Sequence, residues 1–207
     1  MITGAAGEIG HALIDRLSEA GSELATLDLE PLDASLRTRV SRVYTGSILD
    51  HELLETIQSD CAVDCIYHLA ALLSTQSEFS PVVAHEVNVT GTLNLLEFAM
   101  SQARDHDRSV MFFYPSSIAV YGTPANFGDR PVSELECSAP RTMYGSNKLY
   151  CEHLGHYYAT YYKQLGTEVH ANLVDFRSIR FPGLISALTM PSGGTSDYAS
   201  EMIHAAA

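Results

Sequence analysis

Thr3-Gly-Ala-Ala-Gly-Glu-Ile-Gly10 sets glycines at positions 4, 7 and 10 between a short apolar run and a segment with helical periodicity. This is the context in which a glycine-rich turn receives a dinucleotide pyrophosphate. Gly4 permits the tight turn, Gly7 lets a phosphate approach the backbone, and Gly10 lets helix and strand pack closely. The helix opening at Glu8 and Ile9 turns its N-terminal dipole toward the phosphate. Asp28 ends the second apolar run at the offset of about 20 residues where a carboxylate meets the adenosine ribose hydroxyls, and its charge favours NAD over NADP. A turn acid capping the chain before Pro31 is the competing reading of Asp28.

Outward from this turn, short β-rich runs alternate with longer helical patterns, which predicts βαβ units and a parallel sheet. Strands are expected at 1–3, 23–29, 40–44, 63–70 and 110–114, with a sixth ending near Ile179. Helices are expected at 8–20, 50–58, 81–103 and 143–164, with a Pro/Gly/acidic loop at 123–140. The fold class is α/β, a Rossmann-type doubly wound parallel sheet. The first strand is shorter than the usual five to six residues, and Glu201-Met-Ile-His-Ala-Ala-Ala207 stops inside a helical pattern without a cap. The expectation is a dinucleotide-binding domain over 1–182 and the start of a substrate-binding region over 183–207, truncated before its end.

With 12 Lys+Arg against 25 Asp+Glu the chain carries −13, and no basic stripe offsets that total, which excludes a phosphate-backbone binder. Nucleic acid is not an expected partner. Apolar runs such as 65–73 are too short for a membrane span and lack a signal-peptide layout, so a cytoplasmic protein is expected, with an organellar targeting segment left open. Cys61, Cys65, Cys137 and Cys151 show no paired metal spacing and read as free core thiols in a reducing compartment.

The chemistry gathers on 115–148. Tyr144 and Lys148, four residues apart, share one helix face. Tyrosine has a pKa of about 10 and is a poor base near neutrality unless an ammonium stabilises its phenolate, which Lys148 can supply. Pro115-Ser-Ser-Ile-Ala-Val-Tyr-Gly122 follows an apolar strand directly, so Ser116 and Ser117 emerge at the carboxyl edge of the sheet, where such folds bind ligands. Ser116 reads equally well as an ordinary turn residue. His68, inside an apolar strand, is read as a hydrogen-bonded core histidine rather than an acid or base. The remaining histidines have no ligand-type spacing, so no metal site is expected. The tyrosines of 143–162 recur at helical spacing and read as a packing or subunit-interface face.

Together Gly4/Gly7/Gly10, Asp28, His68-Leu-Ala-Ala71, Ser117-Ile-Ala-Val-Tyr-Gly122 and Tyr144/Lys148 resemble the extended short-chain dehydrogenase/reductase family, the NAD-dependent epimerase/dehydratase group, over nearly the whole chain. Within it, His68-Leu-Ala-Ala-Leu-Leu-Ser74, Pro115-Ser-Ser-Ile-Ala-Val-Tyr-Gly122, Arg180-Phe-Pro-Gly-Leu-Ile-Ser186 and Gly193-Gly-Thr-Ser-Asp-Tyr-Ala199 are similar to the short-chain type of L-threonine 3-dehydrogenases. The resemblance implies oxidation of the L-threonine 3-hydroxyl by NAD, with Tyr144 as general base, Ser117 holding the reacting oxygen, and Lys148 lowering the tyrosine pKa and holding the nicotinamide ribose. It further implies cofactor contacts at Glu8, Ile9, Leu69, Ala70, Ala71 and Leu184, with Ser47 and Ile48 over the adenine. Substrate contacts follow at Ser74 and Thr195, and a homodimer through the two long helices.

The chain also departs from the family. Ser47 replaces an aspartate common among relatives, and 166–175 is longer than the usual link, reading as a surface insertion without a catalytic role. Alternatives from the residues are a sugar-nucleotide epimerase or dehydratase, a small hydroxy-acid dehydrogenase, and a non-catalytic NAD-binding fragment.

Overall fold

The protein is described by a computed structural model, which covers residues 1–166, 173–184, 201–202 and 205–206. The element Gly193 to Ala199 with Thr195, residues 167–172 of the 166–175 segment, and residues 203, 204 and 207 of the C-terminal helical pattern lie outside the described residues.

Six strands pair in parallel in the order β3-β2-β1-β4-β5-β6. They are β1 (Ile2–Thr3), β2 (Ala25–Asp28), β3 (Arg42–Thr45), β4 (Cys65–His68), β5 (Val110–Ser117) and β6 (Val174–Phe181). Because β1 lies between β2 and β4, the strand order reverses there, and all carboxyl ends open onto one crevice at that switch point.

Helices cover both faces. α1 (Glu8–Glu19) and α2 (Ala34–Arg37) close a small core of Ile2, Ala5, Ile14, Leu24, Leu36 and Val40. The opposite face carries the larger core, where Leu54 and Ile57 of α3 (His51–Asp60) and Leu95, Leu96 and Ala99 of α6 (Gly91–Asp105) meet Ile66 and Phe112 from the sheet. α3 starts where the Asp50 carboxylate accepts from Leu53 N at 3.1 Å, satisfying one of the free N–H groups of the first turn.

The sequence pattern predicts one long helix over 81–103. The chain instead forms α4 (Ser74–Phe79), α5 (Pro81–His85), a π-helical turn (Glu86–Thr90) and then α6. Ser80 separates α4 from Pro81, which fits the first turn of α5 because proline lacks only an N–H left free there anyway. The π turn widens the helix at Asn88. Its side chain accepts from Leu72 N at 2.8 Å and donates to Leu72 O at 3.0 Å, holding the chain that leaves β4. α7 (Met143–Thr160) begins at Thr142, whose hydroxyl accepts from Gly145 N at 3.0 Å.

α7 lies close to the sheet because Gly155 has no side chain. A β-carbon there would stand 2.1 Å from the Phe176 ring, and that ring cannot retreat, being stacked at 6.0 Å from both Phe112 and Tyr114. Gly155→Ala is expected to lower stability by about 1–3 kcal/mol through overpacking, read as a fall in the urea midpoint at unchanged slope.

Candidate active site

The carboxyl ends of the strands enclose a cleft of about 850 Å³, within the range of small-molecule and cofactor sites. One end is the glycine turn. Gly4 has φ +66°, donates to Leu27 O at 2.9 Å, and sits so close to β4 that a β-carbon would stand 2.6 Å from Ala70 N. Gly10 packs equally tightly: a β-carbon would meet Ala5 O at 2.4 Å. Gly7 differs, since its β-carbon direction meets protein only at Gly4 O, 3.3 Å away. Its free side faces the cleft at the N-terminus of α1, where a phosphate can meet backbone N–H groups and the helix dipole.

Asp28 braces two turns at the edge of the cleft. Its carboxylate accepts from Ala6 N at 2.9 Å, bracing the glycine turn, and from Glu30 N at 3.0 Å, capping the turn that follows β2. It lines the cleft with Gly46, Ser47 and Ile48. The Ser47 hydroxyl accepts from Leu49 N at 3.1 Å, while Ile48 is buried, its side chain in the space left by Gly91. Leu69, Ala70 and Ala71 form the middle of the cleft, with Glu8 and Ile9 above the turn.

The other end carries the reactive groups. Ser74, Ser116, Ser117, Tyr144, Lys148 and Leu184 all line the same cleft. Ser117 Oγ accepts from Ala119 N at 3.1 Å, which orients the side chain while leaving its proton to donate. Lys148 is 4% exposed; its Nζ donates to Pro115 O at 2.8 Å and lies 4.6 Å from the Tyr114 ring centre and 5.5 Å from the Tyr144 ring centre. Burial lowers the Lys148 pKa to about 8, with Cys151 and Glu152 opposing the change. Burial also pushes the Tyr144 phenol up to about 12. Burial is the cause of that rise, and Lys148, 5.5 Å from the ring centre, does not offset it in the free chain.

His68 is a core histidine. Its Nδ1 lies 2.8 Å from Thr3 Oγ1 and its Nε2 2.9 Å from Thr92 Oγ1. Thr92 donates its own proton to Asn88 O at 2.6 Å, so Nε2 carries the histidine proton and Nδ1 accepts from Thr3. Burial first, and the Lys148 charge second, lower its pKa to about 3, which keeps it neutral. The cysteines are free thiols, but only Cys151 is buried; Cys61, Cys65 and Cys137 are half-buried rather than in the core. Among the described residues no group of three or more His, Cys, Asp or Glu could hold a metal ion, and no helix is long and apolar enough to cross a membrane.

Sequence reasoning missed Asn88 and Cys151. Cys151 donates to the Asn88 carbonyl at 3.2 Å, tying the π turn to α7 beside Lys148. Cys151 lies close to Lys148 on the stripe that opens with Tyr144, and that spacing was the available signal.

The GDP-mannose 4,6 dehydratase family model matches residues 1–173. The chain belongs to this family. It is a member of the extended short-chain dehydrogenase/reductase group to which the sequence motifs pointed, and its relatives fall on both sides of the substrate question. An uncharacterised epimerase/dehydratase of Staphylococcus aureus (strain USA300) is 36% identical over 98% of this chain and 58% of its own length. A GalE-like L-threonine dehydrogenase from Cupriavidus necator, in its holo form, is 34% identical with a TM-score of 0.78, over 99% of this chain and 61% of that one. An L-threonine dehydrogenase from Clostridium difficile is 34% identical with a TM-score of 0.75, over 97% of this chain and 58% of that one. The chain thus spans about three fifths of the length of these relatives.

Two outcomes follow from the geometry. Gly4→Ala is expected to cost about 1–3 kcal/mol of stability, because a side chain at φ +66° is strained and collides with the Leu69–Ala70 backbone just after β4. Gly7→Val is expected to leave the thermal midpoint within a few degrees while weakening NADH binding at least about tenfold, since its side chain enters the cleft. Separately, [ε-¹³C]lysine NMR of the chain, which has only Lys148 and Lys163, is expected to show the Lys148 signal titrating near pH 8; a midpoint at the usual lysine value of about 10.4 contradicts its burial.

Proposed function

We propose that this chain is the dinucleotide-binding part of an NAD-dependent dehydrogenase that oxidises the 3-hydroxyl of L-threonine to 2-amino-3-ketobutyrate, with Tyr144 as general base. The observation that carries this reading is the convergence of Ser117, Tyr144 and Lys148 at one end of a cleft whose other end is the glycine turn.

The residues fit the cofactor. Gly7 and the N-terminus of α1 would hold the pyrophosphate, Asp28 the adenosine ribose, Ser47 and Ile48 the adenine edge, and Lys148 the nicotinamide ribose. A bound nicotinamide supplies a hydride acceptor and a positive ring charge. Tyr144 then takes the substrate hydroxyl proton, while Ser117 donates to the same oxygen as it becomes a carbonyl. Lys148 contributes charge beneath both. With the cofactor bound, the balance would be a hydride from the alcohol carbon to the nicotinamide and the hydroxyl proton to Tyr144 as phenolate, leaving the ketone.

The substrate end of the cleft supports a small substrate. Its lining offers Ser74, Gln76, Ser117 and apolar groups, and Lys148 is the one cation among the described lining residues. A diphosphate substrate needs basic partners such as Arg forks. The family match and the epimerase/dehydratase relatives favour a second reading, a sugar-nucleotide substrate on the same catalytic set. A homodimer is proposed through the helical stretches 82–103 and 143–164, where Val82, Val83, Tyr150, Tyr157 and Tyr161 are exposed.

NADH absorbance with the full-length protein and, in turn, L-threonine, L-serine, D-erythronate and UDP-galactose tests the reading. L-Threonine is expected to give NADH, and Tyr144→Phe to lower kcat roughly 10²–10⁴-fold with NADH affinity retained. Threonine turnover that survives Tyr144→Phe would sink the mechanism, and the absence of NADH from threonine would sink the substrate assignment.

A further inference from the structure

Arg180 lies behind the cleft wall and joins four segments. On β6 it stands in register with Ser116 of β5. Its Nε and Nη2 donate to the two carboxylate oxygens of Glu152 on α7 at 2.9 and 2.6 Å. Its Nη1 donates to the Glu134 carbonyl of the 123–140 loop at 2.7 Å, and its guanidinium lies 4.7 Å from the Tyr121 ring centre. The pair is largely shielded from water, with side chains 18% and 15% exposed. Burial alone would raise the Glu152 carboxyl, but Arg180 outweighs it and holds the group below its ordinary value.

Glu152 is one helical turn beyond Lys148, which is one turn beyond Tyr144, so the three side chains form one stripe along α7. A planar two-point grip on the end of that stripe restrains both rotation and sliding of the helix, which a single-point ammonium contact does not. Arg180 touches no residue of the glycine turn.

We propose that Arg180 is a positioning residue, whose two-point hold on Glu152 sets where Lys148 and Tyr144 stand relative to Ser117. This rests on the reading of α7 as the catalytic helix.

The test uses the full chain with [ε-¹³C]lysine and the variant Arg180→Lys, which keeps the charge and removes the fork. The added lysine is recognised as the signal missing from the wild type. The Lys148 signal and its titration midpoint are expected to move while the Lys163 signal stays. Turnover is expected to fall roughly 10²-fold, the scale of a small misplacement of reacting groups, with NADH affinity changed less than about threefold. If Arg180→Lys does not fold, Glu152→Gln breaks the same grip and is read the same way. A Lys148 signal that stays in place in whichever variant folds overturns the proposal. A moved Lys148 signal in a chain that gives no NADH from threonine supports the positioning role and counts against the substrate reading alone.

Discussion

The Lys148 end of the cleft depends on an ammonium held away from bulk water. Lys148 has traded solvent for one carbonyl, that of Pro115, and for two aromatic faces. An unpaired buried charge is costly, so the surroundings must hold it firmly. Pro115 ends the apolar part of β5, Tyr114 is fixed between His68 and Phe176, and α7 is drawn onto the sheet at Gly155. Each of these constraints serves the placement of one side chain, and Tyr144 and Ser117 are brought beside it by the same backbone.

A buried polar chain ties this end of the cleft to the other. It runs from Thr3, immediately before the glycine turn, through His68 and Thr92 to the Asn88 carbonyl, and on to Cys151 beside Lys148. Every link has a partner, which is what keeps such a string from destabilising a core. Asn88 adds the grip on Leu72 that sets the cleft floor between the nucleotide and substrate ends.

The doubly wound parallel sheet was legible because short buried strands alternate with amphipathic helices along the chain, and because Gly4, Gly7, Gly10 and Asp28 mark its first βαβ unit. The convergence of Ser117, Tyr144 and Lys148 followed from placing one motif at a strand end and the other on the next helix. What could not be read was how the long apolar segment after β4 divides. Residues 81–103 satisfy helical periodicity throughout, and the shift at Glu86–Thr90 depends on tertiary bonds to Leu72 and Cys151 that a linear pattern does not contain. The burial of Tyr144 and Lys148 was out of reach for a related reason. Spacing puts the two side chains on one face, but only the packing shows that both are desolvated.

That desolvation gives the central claim its direct test. Burial holds Tyr144 neutral in the free chain, and the proposed base role requires the positive charge of a bound cofactor to lower that proton affinity. The measurement is the tyrosinate difference absorbance at pH 9 between the wild type and Tyr144→Phe, with and without saturating NAD. The account predicts no tyrosinate from Tyr144 in the free chain and its appearance with NAD. Tyrosinate in the free chain at that pH, or none with NAD bound, would contradict it.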